Sequence, residues 1–197
     1  MVVSGPNAGG KTVALKTLGL AALMVRAGLP VPARTGSRVA VFEIVLTDVG
    51  DDQNLHKNLS TFSAHVQNLV AVLGETRPGA LVLLDELCSG TNPSEGEEIF
   101  ELVVTLLGRL HPQAFITTHF LTFAGRLERE GAVAGLRFLQ VDLDPSQKPT
   151  YQFVPGVATT SLAGQAAARL GVTRDELAGL IDRNTLRAAA AAATLPR

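Results

Sequence analysis

Apolar residues recur along this chain in blocks whose spacing switches between the helical and the extended period. Over 10–27, Val13, Leu15, Leu18, Leu20, Leu23 and Val25 predict a helix that is apolar on most sides, hence buried on several faces. Gly28 and Pro30 end it. The β-branched stretch 39–49 reads as one or two strands. A helix over about 61–75 follows, with Phe62, Val66, Leu69, Val70 and Leu73 on one face and Ser60 placed to cap it. Ala80–Leu84 is wholly apolar between Pro78-Gly79 and Asp85-Glu86, the pattern of a central parallel strand buried on both faces.

The second half continues the alternation. Pro93 opens a helix to about Gly108, 113–118 is a strand, and 120–130 is a helix. Val133 to Asp142 and Thr150 to Val154 flank the turn Asp144-Pro145-Ser146 and predict an antiparallel hairpin. From Ser161 the pattern is helix, turn, helix. Thr173 and Glu176 form a T-x-x-E capping box for the second helix, whose stripe is Leu177, Leu180 and Ile181. The alanine run 188–193 closes the pattern. The division expected is 1–158 for an α/β domain and 159–197 for a helical tip and alanine-rich tail.

Composition narrows the class. The 197 residues are 46% hydrophobic and 18% charged, which excludes a disordered chain and suffices for one α/β domain. A formal net charge of −1 supplies no global basic field for nucleic acid. Cys88 is the only cysteine, so an intramolecular disulfide and a multi-cysteine metal site are excluded, in keeping with a reducing, cytoplasmic compartment. No apolar run reaches transmembrane length, so no membrane partner is expected.

The chemistry lies between the elements. Gly5-Pro6-Asn7-Ala8-Gly9-Gly10-Lys11-Thr12 is G-x-x-x-x-G-K-[ST], the phosphate-binding P-loop, with Val2 and Val3 before it and a helix pattern after it. A triphosphate needs many donors in a small space. Loop N–H groups and the positive end of the helix supply them, Lys11 neutralises the β- and γ-phosphates, and Thr12 offers a hydroxyl to Mg²⁺. Because only Met1 to Val3 precede the loop, a piece of a longer protein is expected.

An apolar strand ending in Asp-Glu is the Walker B pattern, with its carboxylates at the sheet edge where the P-loop opens. Asp85 holds Mg²⁺ in that reading, and Glu86 orients or deprotonates the attacking water. His119 ends the next strand. It is either structural or a neutral donor or sensor for the γ-phosphate. A two-helix tip after Ser161 could read DNA, but its composition is not basic, so docking or dimerisation is the expected role.

Together these stretches resemble the ATPase domain of the MutS family. The loop from Ser4 to Thr12 is similar to that family's Gly-Pro-Asn opening, and Leu59-Ser-Thr-Phe-Ser63 to its Ser-Thr-Phe signature. Leu83-Leu-Asp-Glu-Leu87 with Ser89-Gly-Thr91 resembles its Walker B and following loop, and Thr117-Thr-His119 its switch histidine. Lys-Thr-Val-Ala-Leu-Lys-Thr from Lys11, Ser-Thr-Phe-Ser-Ala-His around Phe62 and Glu-Leu-Cys-Ser-Gly-Thr-Asn-Pro-Ser-Glu-Gly from Glu86 resemble the MutS-two branch rather than the mismatch-repair branch. Cys88 and Asn92 depart from that branch, which usually has Gly and Asp there.

The resemblance implies an ABC-type P-loop ATPase with a mostly parallel central sheet flanked by helices and a C-terminal helix-turn-helix dimerisation tip. It implies ATP and Mg²⁺ as ligands and a homodimer with composite sites. Asn7 would help hold its own subunit's phosphates, and Ser60 would meet the γ-phosphate of the partner. DNA and the ribosome would be reached through domains outside this chain, in suppression of recombination and ribosome rescue. The nuclease domain of the branch is absent here, so neither nuclease activity nor sequence-specific DNA binding is expected of this chain. A mismatch-repair ATPase and a nucleotide-gated dimerisation module with negligible turnover are the alternatives.

Overall fold

The computed structural model describes residues 1–50, 61–88, 91–159 and 173–193. Contacts divide the chain into two compact units, Met1–Thr160 and Ser161–Arg197.

The first unit is a mixed α/β unit built on one six-stranded sheet. Its strands are β1 (Val2–Ser4), β2 (Ile44–Asp48), β3 (Ala80–Leu84), β4 (Gln113–Thr118), β5 (Phe138–Leu143) and β6 (Pro149–Pro155), in the order β2-β3-β4-β1-β5-β6. All neighbours are parallel except β5 and β6, which form the antiparallel hairpin expected from the sequence. Although β1 is three residues long, it lies between two partners, with Val3 opposite Thr117 on one side and Leu139 on the other.

The strand β3 is buried along its whole length, as its unbroken apolar run predicts. Its alternate residues serve different cores. Ala80, Val82 and Leu84 pack with Leu69 and Val72 of α2 (Thr61–Glu75), with Phe100, Val103, Val104 and Leu107 of α3 (Pro93–Leu110), and with Phe123, Ala124 and Leu127 of α4 (Leu121–Glu130). Leu81 and Leu83 face the other way, onto Leu15 and Ala22 of α1 (Lys11–Arg26). Contact there is close: a β-carbon on Gly19 would lie 2.9 Å from Leu83. Asn92 caps α3, its side chain accepting from the Ser94 N–H at 3.1 Å, with Pro93 in the first turn.

Several sequence expectations are corrected. In α1 only one stripe, Lys11, Leu15, Gly19 and Ala22, is buried; Val13, Leu18, Leu20 and Leu23 are exposed, because β3 covers a single side of the helix. In α2 Val70 is exposed and Val72 buried, so the packed stripe is rotated from the predicted face. Residues 39–43 are not strand: Ile44 pairs with Ala80, and before Ala80 the partner is the turn at Pro78-Gly79. Residues 133–137 are likewise outside β5, Leu136 donating to the Val133 carbonyl in a turn.

In the second unit, α5 (Arg174–Ala193) begins at the expected capping box. The Thr173 hydroxyl accepts from the Glu176 N–H at 3.2 Å, and the Glu176 carboxylate accepts from the Thr173 N–H at 3.1 Å. Leu177, Leu180 and Ile181 are exposed. The helix expected between Ser161 and Leu170 lies outside the described residues. No helix among the described residues is long and apolar enough to cross a membrane.

Candidate functional site

Parallel strands bring their carboxyl ends to one edge of a sheet, and the polar residues selected from the sequence follow those ends. The chain leaves β1 at the buried Ser4 and turns at Gly5, whose φ of 137° favours glycine. A single 3-10 turn, Asn7–Gly9, follows, closed by the Gly9 N–H on the Pro6 carbonyl at 2.9 Å. Gly10, at φ 80°, then delivers the chain into α1. The loop is also tight against the hairpin. A β-carbon would lie 2.7 Å from the Val141 side chain at Gly5 and 2.6 Å from it at Gly9. The glycines are therefore demanded by β5 as well as by any ligand.

Lys11 is the first residue of α1 and is only 2% exposed. Its Nζ donates to the carbonyls of Gly5 at 2.9 Å and Pro6 at 3.1 Å, so the ammonium is held inside the loop. Burial lowers its pKa below the usual lysine value, opposed by the carboxylates of Glu86 and Asp85. Those acids are thus electrostatic neighbours of the loop although they follow a strand two places away in the sheet. Thr12, half-buried, is the next residue of α1.

Asp85 and Glu86 leave β3 in an unusual backbone conformation. Glu86 has φ 45° and Cys88 φ 64°, both left-handed and costly for residues with a β-carbon. Thr117, fully buried on β4, stabilises the bend from the neighbouring strand. Its hydroxyl donates to Asp85 Oδ1 at 2.6 Å and accepts the Glu86 N–H at 2.7 Å. The Asp85 N–H in turn donates to the Asp48 carbonyl at 2.8 Å. Cys88 is inert by comparison: burial pushes its thiol up to about 11.

A further cluster abuts these acids. Asp48, the buried last residue of β2, accepts from Asn68 at 3.3 Å and faces His65 Nδ1 at 3.1 Å, both on α2. Asp48 and His65 line a small cleft with Asp85 and Glu86. His119 is exposed after β4, its ring 4.4 Å from that of Phe120. Ser60 and the Asn7 side chain lie outside the described residues.

The fold therefore brings together the Gly5–Thr12 loop, Asp85 and Glu86. Sequence reading missed Thr117, Asp48 and His65. Asp48 was accessible to the rule that found Asp85, an acid ending a strand of a parallel sheet.

The donors present suit a magnesium–nucleotide complex. Among the described residues no group of three or more His, Cys, Asp and Glu could hold a metal ion unaided. Mg²⁺ does not require one: it is commonly held by one or two carboxylates, with phosphate oxygens and water completing its shell. Asp85, an electrostatic neighbour of the buried lysine of the glycine loop, is one such carboxylate.

A mixed α/β unit with this loop and these acids at one sheet edge matches a known class of domain. The family model of MutS domain V, the ATPase domain of that family, matches residues 1–192. The chain is 41% identical over 179 residues to Endonuclease MutS2 of Thermomicrobium roseum, covering 90% of this chain and 22% of that protein. Against Endonuclease MutS2 of Pelotomaculum thermopropionicum it is 42% identical over 178 residues, covering 89% and 22%. The Streptococcus uberis protein of that name is 41% identical over 174 residues, covering 87% and 22%. The chain belongs to the MutS family, as a MutS2-type domain V. It spans about a fifth of the length of the relatives it matches.

Proposed function

We propose that this chain binds and hydrolyses ATP, as an ABC-type P-loop ATPase domain over 1–158 with a helical, dimer-forming tip over 159–197. One observation carries the reading: the Lys11 ammonium, buried in its own loop, shares an electrostatic environment with Asp85 and Glu86. A cation inside a glycine loop with two carboxylates beside it suits a triphosphate with its metal ion and its attacking water.

The N–H groups of the Gly5–Thr12 loop that are not engaged within it receive the phosphates, while the Gly9 N–H closes the turn on the Pro6 carbonyl. Lys11 exchanges the carbonyls of Gly5 and Pro6 for phosphate oxygens, so its amine needs no new path through solvent. Thr12 and Asp85 would hold Mg²⁺, which supplies charge neutralisation at the phosphates. Glu86 orients and deprotonates the attacking water, while Thr117 fixes the Glu86 backbone. His119, exposed near the same edge, acts as the γ-phosphate sensor. Ser60 reaches the nucleotide of a second copy, giving a homodimer with composite sites. In the longer protein, cytoplasmic in this reading, nucleotide state drives domains that engage DNA, in suppression of recombination, or the ribosome, in its rescue.

The test is phosphate release from Mg²⁺-ATP by this chain and by its Glu86→Gln variant. The expected result is turnover that falls about a hundredfold or more in the variant, with ATP binding retained. Equal release by both would remove Glu86 from the chemistry.

A further inference from the structure

Asp48 serves two elements with two different groups. Its backbone carbonyl, at the end of β2, accepts the Asp85 N–H at 2.8 Å. Its carboxylate is buried and takes its partners from α2, His65 Nδ1 at 3.1 Å and Asn68 Nδ2 at 3.3 Å. A carboxylate only accepts, so Nδ1 carries the imidazole hydrogen. His65 and Asn68 are three residues apart and share one face of the helix. One residue therefore joins α2 to the acid that follows the neighbouring strand.

The sheet order explains why such a joint is needed. The strand β2 is at the edge of the sheet and pairs with β3 alone. Asp48 is the last residue of that ladder, opposite Leu84, where a strand opens most readily. Leu69 and Leu73 of α2 share a core with Ile44 and Leu46 of β2, but apolar contact has no direction. Two hydrogen bonds to a buried carboxylate fix where the strand end lies, although an apolar pair would cost less desolvation. On the other side of β3, Thr117 of β4 holds the Asp85 carboxylate and the Glu86 N–H. The acid segment is thus gripped from both neighbouring strands. Glu86 needs that grip, because its φ of 45° persists only where the surroundings enforce it. Asp48 and His65 also line the same cleft as the two acids. We infer that Asp48 and His65 are a positioning pair for the hydrolysis proposed above: by pinning the end of β2 to α2, they set where Asp85 and Glu86 stand. Neither residue needs to touch the nucleotide. The inference rests on the hydrolysis reading and adds to it the residues that hold its acids in place.

Two substitutions separate the hydrogen bond from the ring. His65→Phe keeps a ring and removes the donor, whereas His65→Asn keeps a donor where Nδ1 stands. In the phenylalanine variant phosphate release from Mg²⁺-ATP should fall about tenfold to a hundredfold, the scale set by a displacement of about 1 Å. Calorimetric ATP affinity should stay within about twofold, a split that marks an effect on the transition state alone. Hydrogen exchange at the Asp85 amide should quicken roughly tenfold, with or without nucleotide. His65→Asn should restore turnover and amide protection together. In a cycle with Asp48→Ala, the double variant should lose little more turnover than either single one, since both break the same bond. If phenylalanine prevents folding, His65→Ala against His65→Asn makes the same comparison.

Full turnover in folded His65→Phe would overturn the positioning pair, whatever the Asp85 amide does. So would an equal loss of turnover and ATP affinity, which would make the pair a general support of the fold, and so would additive losses in the cycle. Glu86→Gln separates this from the underlying reading. If that variant loses turnover while His65→Phe does not, the hydrolysis reading stands and only the pair falls. If the unaltered chain releases no phosphate, both fall.

Discussion

The hydroxyl of Thr117 donates a 2.6 Å hydrogen bond to Asp85, joining the end of β4 to the acid that follows β3. The same oxygen accepts the Glu86 N–H, so one buried side chain sets the carboxylate of one acid and the backbone of the next. Thr117→Val preserves the shape and removes both bonds. Leaving a buried donor without its partner costs about 1–3 kcal/mol. Stability in denaturant should fall by that order, and ATP turnover should fall further than ATP affinity. Thr117→Ser should restore both. Full turnover in the valine variant would show that Asp85 and Glu86 hold their positions without it.

Gly9 is constrained by packing against β5. Gly9→Ala would put a β-carbon 2.6 Å from Val141 Cγ2. Overpacking of this kind costs about 1–3 kcal/mol, measurable by chemical denaturation. Val141→Ala should recover part of the loss, because it removes the γ-carbons but leaves the β-carbon at 3.2 Å. Strictly additive effects in the double variant would mean that the loop shifts away rather than pressing on Val141.

Sequence pattern revealed the fold where one element carried its own signal. Ala80–Leu84 could be read as a doubly buried strand because its apolar run is short and closed by turn and charge. The α3 start could be read because Pro93 acts locally, although the Asn92 cap was not foreseen. Failures came where the deciding partner is distant. The exposure of Val13 and Leu20 depends on what packs on α1, not on the period of α1 itself. Thr117 resembles any threonine in a strand until Asp85 is placed beside it. Asp48 and His65 meet only because α2 lies along β2. At the proposed site, the Gly5–Thr12 loop and the pair Asp85-Glu86 are contiguous motifs that the sequence alone displays. The register shift between Val141 and Leu143 in the β5–β6 pair was not legible there, since register belongs to a pair of strands.

The resemblance-based role of Ser60 predicts an assembly effect. Mg²⁺-ATP should promote dimers of Glu86→Gln in sedimentation, because binding that favours one assembly state shifts the population toward it. ADP should do so less, lacking the γ-phosphate. Adding Ser60→Ala should abolish the ATP effect. Dimers that form equally well without the hydroxyl would remove Ser60 from the partner's nucleotide site.

The most direct measurement is a calorimetric titration of Mg²⁺-ATP into this chain and into Lys11→Ala. Lys11 is the buried cation of the loop and the electrostatic neighbour of both acids. Without it the phosphates meet backbone donors alone, and charge-assisted hydrogen bonds are roughly twice as strong as neutral ones. The expected result is saturable binding by the unaltered chain and loss of that binding in the folded variant. Equal ATP affinity in the two would contradict the assignment of Gly5–Thr12 as the nucleotide site.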